Sequence, residues 1–434
     1  GSSSSMETEL KEFDSKLNKY NGGGSSSSSS VGNGNNNDGS NCSSSITGDP
    51  IDESSAKDDR PFLKFDSPAT PHAPFPPAEI HELDKKFAPF VRKDVYGVMG
   101  RGDLPSREKV LLGIALVTIA PLRLVLALVT LFMYYLICRL CTLFSTPHRE
   151  DEQEDYAHMG GWRRAVVFHC GRFLSRVILF TLGFYWIKQT RRNHSNAVEK
   201  MTTEGEHGDE GEHGDQAEDP ERPGVIISNH VSYLDILYHM SSSFPSFVAK
   251  RSVAKIPFVG LISKCLGCVY VQRESKSSDF KGVSGVVTER IQEAHQNKSA
   301  PKMLLFPEGT TTNGEFLLPF KTGAFLPRTP VHPVIIRYPY RRFSPAWDSI
   351  SGARHVIFLL CQFVNHMEAI QLPLYWPSQQ EKDDPKLYAR NVRILMASEG
   401  DLILSEMGLP EKRTYHAALN GNNSLPSVLH QKED

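Results

Sequence analysis

Cysteine is scarce in this sequence. Seven in 434 residues, an odd number, argue against a secreted scaffold held by disulfides. No histidine cluster flanks the close pair Cys265 and Cys268, so no metal site is expected there and both read as buried thiols. A surplus of one charge is also missing. Lys plus Arg number 48 against 50 Asp plus Glu, for a net charge of −2. A global cationic footprint for nucleic acid is thereby excluded, and any phosphate-binding group must be local. No long apolar run precedes Val110, so no cleavable signal peptide is expected.

What is present is unevenly distributed. The run Ser25 to Ser30, the Asn35 to Asn37 tract and the Pro-rich stretch Pro68 to Pro77 make 1–78 a polar tail. It has too little apolar surface to offset its chain entropy and is expected to be disordered. Its Asn-Asp-Gly stretch fails as a calcium loop, because the first and twelfth ligand positions fall on Gly34 and Ser45. Residues 79–200 read as a membrane-associated helical region, opening with a short charged helix from Glu79 to Phe90. Val110 to Cys138 is apolar apart from Pro121 and Arg123, and is long enough to cross a bilayer tilted or kinked. Arg123 either snorkels or lines a protein interior. A second apolar stretch, Phe173 to Ile187, lies between basic clusters and carries Tyr185 and Trp186, so it either spans or lies in the interface. More basic residues precede the first stretch than follow it, which places the N-terminus in the cytosol. A re-entrant first segment or a second span would keep the remainder cytosolic. Residues 201–222 form an acidic linker whose near-repeat, Gly205 to Asp209 and Gly211 to Asp215, reads as a solvated spacer ahead of a loose metal site.

From Pro223 to 408 short apolar runs alternate with helical patterns. Val225 to Ile227, Cys268 to Val271, Lys302 to Phe306 and Val331 to Tyr338 read as strands. Ser232 to Met240, Ser278 to His295 and Pro385 to Met407 read as helices. The alternation predicts an α/β domain whose largely parallel sheet is flanked by helices, preceded by N-terminal membrane helices and followed by a polar tail, 409–434.

Three constellations carry chemistry. Asn229-His230-Val231-Ser232-Tyr233-Leu234-Asp235 follows a strand. A histidine at a strand end and an aspartate one turn into the next helix can meet, and the carboxylate then fixes the imidazole tautomer while the other nitrogen takes a proton. If the substrate brings its own hydroxyl, no serine or cysteine is needed. Phe306-Pro307-Glu308-Gly309-Thr310 follows another strand, and a glycine flanked by hydroxyl residues lets backbone N–H groups approach an anion. Gly267 to Arg273 delivers an arginine at a strand end, suited to phosphate. Lys250, Lys255 and Lys321 add local positive charge.

In this order the blocks N-H-x4-D, strand-Arg, F-P-E-G-T and a Val-Pro strand (Val331 to Val334) resemble the glycerolipid acyltransferase family, over roughly Pro223 to Tyr340. The wording around His230, the polar tail and the membrane segment resemble the plant lysophosphatidylethanolamine acyltransferases without EF-hands. The resemblance implies an acyl-CoA-dependent O-acyltransferase that acylates the free glycerol hydroxyl of a lysophospholipid. His230 would be the general base and Asp235 its orienting partner. Arg273, Glu308, Gly309 and Thr310 would hold the phosphate end of the acceptor, Glu308 by positioning a cation or a hydroxyl, with Lys250 and Lys321 as further candidates. It implies no metal, no cofactor beyond acyl-CoA as co-substrate, no nucleic acid, and an endoplasmic reticulum membrane with a cytosolic catalytic domain. Lysophosphatidate or glycerol-3-phosphate acylation is the alternative chemistry. A non-catalytic membrane scaffold of the same fold is the alternative of another class, and has no need of the His230 base.

Overall fold

The computed structural model describes residues 83–150, 153–192, 222–271 and 283–419. The polar tail 1–78, linker residues 201–221, Arg273 and residues 420–434 lie outside this range. Nearly all the described chain belongs to one unit, Phe62–His416.

The chain opens with α1 (Ser106–Val117) and α2 (Ile119–Thr142), a small antiparallel pair, β1 (His148–Glu150) and β2 (Gln153–Asp155), and α3 (Gly161–Thr181). β3 (Ile187–Arg191), β4 (Val225–Ser228), α4 (Leu234–Ser242), β5 (Ser246–Lys250), α5 (Val259–Leu266), β6 (Val269–Val271), α6 (Val283–Gln296) and β7 (Met303–Leu305) follow. Then come β8 (Phe316–Leu317), β9 (Val331–Arg337), α7 (Gly352–Cys361), β10 (Met367–Gln371), α8 (Gln379–Asp383), α9 (Pro385–Glu399), β11 (Ile403–Leu404) and α10 (Leu409–Leu419).

Seven strands form the main sheet in the order β3-β10-β9-β4-β7-β5-β6. It is mixed, because β9 and β10 pair antiparallel while every other pairing in it is parallel. Side chains alternate across the strands. Ile226, Leu304 and Ile336 join one apolar cluster with residues of α2, α3 and α4, whereas Val225, Ile227, Met303 and Ile335 join another with α6 and α9. Helices thus cover both faces, which is why β4 is buried at all four positions and reads as an unbroken apolar run.

Three expectations change. The apolar run Val110 to Cys138 is two helices, broken at Thr118. Pro121 accounts for the break. Within a continuous helix its ring would meet the Val117 carbonyl, whereas in the first turn of α2 its missing N–H leaves nothing unpaired. Among the described residues α2 is the one helix long and apolar enough to cross a bilayer. Leu122, Val125, Leu128 and Leu140 on it are exposed, and Ala120, Arg123, Tyr134, Cys138 and Cys141 are buried. Arg123 lines a protein interior. Its guanidinium donates to the carbonyls of Leu360 (3.1 Å), Phe363 (2.9 Å) and Gln362 and to the Tyr185 hydroxyl (3.0 Å).

Phe173 to Ile187 is neither one span nor one interfacial helix. α3 ends at Thr181, the chain turns at Gly183 (φ +92°), and Ile187 starts β3. β3 therefore adds to the sheet from well upstream of Pro223. At the other end, α9 stops at Glu399, and a helix, α10, occupies the start of the expected polar tail. Cys265 and Cys268 are buried free thiols, as are Cys138 and Cys141, a pair at the same spacing on α2.

Candidate active site

β4 and β7 are parallel neighbours, Ile227 opposite Leu305, so the loops that leave them emerge side by side at one end of the sheet. The β4 loop carries His230 and the β7 loop Glu308. The Asn229 side chain fixes where the β4 loop begins. Its Nδ2 donates to the Ile336 carbonyl (2.9 Å) and its Oδ1 accepts the Ile336 N–H (2.7 Å), extending the β4–β9 ladder by a side chain.

His230 Nδ1 lies 2.9 Å from Asp235 Oδ2. The same oxygen accepts the N–H groups of Val231 (2.7 Å) and Ser232 (3.0 Å), while Oδ1 accepts the Tyr338 hydroxyl (2.5 Å). Asp235 is completely buried, in the first turn of α4 where the helix dipole favours an anion. With Nδ1 committed as a donor to a carboxylate, the imidazole carries its lone pair on Nε2. That nitrogen has no partner among the described residues, and the side chain is 20% exposed. The ring stacks on Phe306 at 4.1 Å, which leaves it one in-plane direction.

The second loop is tied to the first. Glu308 Oε1 accepts the His230 backbone N–H (2.7 Å), Oε2 accepts the Leu318 N–H (2.9 Å), and the Thr312 N–H donates to the His230 carbonyl (3.0 Å). Glu308 is buried, and burial pushes its carboxyl up to about 8 against the pull of the two N–H donors. With both oxygens engaged, this carboxylate positions the His230 backbone. That contact is to the backbone of the two neighbouring segments, His230 and Leu318, and is separate from the expected positioning of a cationic neighbour or a hydroxyl. Gly309 adopts φ +72°, a backbone conformation that favours glycine, and the flexible end of Lys321 lies over it, its Nζ 2.7 Å from a Cβ position. Thr310 is half-buried beside it. Lys321 is thus brought to the loop. Lys250, at the end of β5, lies two strands from β4, a lateral offset of roughly 10 Å. β6 ends at Val271, and Arg273 lies outside the described residues.

The comparisons with known proteins follow this geometry. A sequence profile described as Acyltransferase matches residues 210–337. Lysophospholipid acyltransferase LPEAT1 of Arabidopsis thaliana is 63% identical over 390 residues, which cover 88% of this chain and 96% of that protein. This chain belongs to the PlsC-like acyltransferase family. Lysophospholipid acyltransferase LPEAT2 of the same plant is 33% identical over 223 residues, 51% of this chain and 36% of that one. A crystal structure of the 1-acyl-sn-glycerophosphate acyltransferase PlsC from Thermotoga maritima matches with a TM-score of 0.36 and 17% identity, covering 65% of this chain and 100% of the other.

For an acyltransferase the arrangement supplies a basic nitrogen, Nε2, on a ring whose orientation is held by stacking and by Asp235. Phe306 stacks on that ring and Tyr338 donates to its partner Asp235, and neither was assigned a task from the sequence. Phe306 had a legible signal as the residue opening the F-P-E-G-T block. Tyr338 had none beyond its place just past a strand.

Proposed function

We propose that this acyltransferase moves a fatty acyl group from acyl-CoA to the free glycerol hydroxyl of a lysophospholipid, with lysophosphatidylethanolamine the preferred acceptor and His230 the general base. The His230–Asp235 contact with an unengaged Nε2 carries the reading. Nε2 accepts the hydroxyl proton as the oxygen attacks the thioester carbonyl. Asp235 stabilises the imidazolium, and the proton then passes to the departing CoA sulfur. No protein nucleophile intervenes. Lys321 and Thr310 would meet the acceptor's phosphate end beside Gly309, whose own N–H is given to the Phe306 carbonyl, with Arg273 and Lys250 as further cationic contacts. The 63% identity to a protein named as a lysophospholipid acyltransferase supports the acceptor class. The apolar face of α2 and the exposed Val110, Val117 and Phe144 suit a bilayer that delivers such an acceptor, in the endoplasmic reticulum with the catalytic end of the sheet towards the cytosol.

General-base assistance contributes about 10²–10⁴-fold, so His230→Ala is expected to lose at least that much turnover while its circular dichroism and melting temperature stay close to wild type. Radiolabelled acyl-CoA transfer by membranes carrying each protein, against a panel of lysophospholipids, lysophosphatidate and glycerol-3-phosphate, tests base and acceptor together. A folded His230→Ala protein that acylates at the wild-type rate would falsify the base assignment. Equal rates on every lyso-acceptor would overturn the head-group preference.

A further inference from the structure

Beyond the His230 and Glu308 loops lies a buried cation that the reaction as described leaves unused. Lys412, on α10, is only 7% exposed. Its Nζ donates to the Thr311 carbonyl (2.8 Å), to Thr311 Oγ1 (2.7 Å) and more weakly to the Trp347 carbonyl (3.4 Å), and it sits 5.8 Å from the centre of the Phe90 ring. Both of its bonded neighbours lead to the catalytic segment, Trp347 directly and Thr311 through the next residue. Thr311 precedes Thr312, whose N–H donates to His230, and the Trp347 N–H donates to the Val231 carbonyl (2.8 Å).

No carboxylate forms an ion pair with Lys412 among the described residues, and burying a lysine without one is costly. Asp348 faces it but is committed to Arg92 (3.2 Å) and to the N–H groups of Ser349 and Ile350. Glu308, in the neighbouring loop, acts on it through charge. On α10 itself, Glu411 is turned to the Gly408 N–H, Tyr415 donates to Asp84 (2.9 Å), and Arg413 and His416 are the other charged or titratable side chains. Burial draws the Lys412 amine down to about 8, while Asp348 and Glu308 favour its charged form. Glu308 in turn faces Asp235, which disfavours its ionisation, and Arg393, which favours it. Arg393 is itself spent on Glu406 and on the carbonyls of Leu317 and Ser405.

We propose that Lys412 is a positioning residue for acyl transfer, holding the Glu308–Thr312 loop and the Trp347 carbonyl against the His230 segment and supplying the positive charge that faces the buried Glu308 carboxylate. The inference rests on His230 being the base. It lies outside the residues matched by the family profile, 210–337. It ties the reacting end of the sheet to a helix that begins about a hundred residues later in the chain than the F-P-E-G-T block.

A lysine that merely fills space and one that holds the loop differ in their pH signature. Without the Lys412 charge, Glu308 takes up its proton at higher pH, so the acid limb of kcat moves upward; a packing defect would lower kcat evenly at every pH. The test uses the full chain in membranes, with acyl-CoA and lysophosphatidylethanolamine, and two variants. Lys412→Gln removes the charge but keeps an N–H donor for the Thr311 carbonyl. Lys412→Met removes both at similar volume. Lys412→Gln is expected to lower kcat several-fold and Lys412→Met about tenfold or more, as befits a lost charge-assisted hydrogen bond. Both KM values should stay within about twofold and the acid limb should rise by about half a pH unit. If Lys412→Met does not fold, Lys412→Gln carries the comparison. A kcat within twofold of wild type, or a uniform loss with the acid limb unmoved, overturns the proposal. His230→Ala, run alongside, separates the two readings: if it keeps its rate, the base assignment has failed, whatever the Lys412 variants do.

Discussion

Asp235 has no solvent contact, and four donors converge on its two oxygens: His230 Nδ1, the Val231 and Ser232 N–H groups, and the Tyr338 hydroxyl. A buried carboxylate is stable only when so satisfied, and this set fixes its orientation as well. Tyr338→Phe deletes one donor without changing shape. A hydrogen bond to a charged group is worth about 1.5–3 kcal/mol, so kcat is expected to fall at least tenfold with KM little changed. Steady-state kinetics on the folded variant decide this, and a kcat within twofold of wild type would reduce Tyr338 to packing. Gly309→Ala tests the backbone on the other loop. The positive φ of +72° predicts a stability loss of about 1 kcal/mol, read as a lower chemical-denaturation midpoint. Activity should drop further, because the strain falls next to Glu308. His230 and Asp235 were readable because a strand-end histidine and a first-turn aspartate share one short window. Tyr338 stands 103 residues from Asp235, and no local pattern marks that distance.

At the scale of elements, the Asn229 side chain acts as one more rung between β4 and β9. Asn229→Ala would leave the Ile336 N–H and C=O unpaired in a buried strand, at a cost of about 2–4 kcal/mol. The expected outcome is a lower urea midpoint with an unchanged slope, and a wild-type midpoint would show that the rung contributes nothing. The strands β4, β7 and β9 were legible because burial on both faces makes them short unbroken apolar runs. β3 was not. Its first residue continues the apolar pattern of α3, and the boundary depends on Gly183, where Arg123, Asn365 and the Phe363 carbonyl crowd within 3.2–3.3 Å of a Cβ position. Those contacts come from distant parts of the chain. The break at Thr118 was half legible. Pro121 marked an interruption, but whether a proline kinks a helix or begins one depends on what the first turn packs against.

For the molecule as a whole, three histidines are held neutral by burial: His239 and His355 down to about 3, and His332 to about 4. In the unfolded chain they titrate near 6.5. Below that pH the unfolded state binds protons that the folded state refuses, so stability falls as pH drops. Each contributes a loss of up to about 2 kcal/mol by pH 5. Glu308 works the other way, because its raised pKa makes the folded state bind a proton first and gain stability as pH falls below about 8. His158, raised by its Asp155 partner, and Asp348, raised by burial, act in the same direction as Glu308. The three buried imidazoles carry the larger shifts within this window, so the urea midpoint is expected to decline between pH 6.5 and pH 5. A midpoint flat or rising over that interval would show that these imidazoles are hydrated in the native protein.

The guanidinium of Arg123, closed around the carbonyls of Leu360, Gln362 and Phe363, makes the greasy helix a structural organ rather than a detachable tether. On the bilayer reading proposed above for α2, trading it for a generic leucine-rich membrane sequence would preserve affinity for lipid yet strip those carbonyls of their donor. Such a chimera is expected to reach the bilayer and fail there as an enzyme. Localisation imaging and activity would then part company.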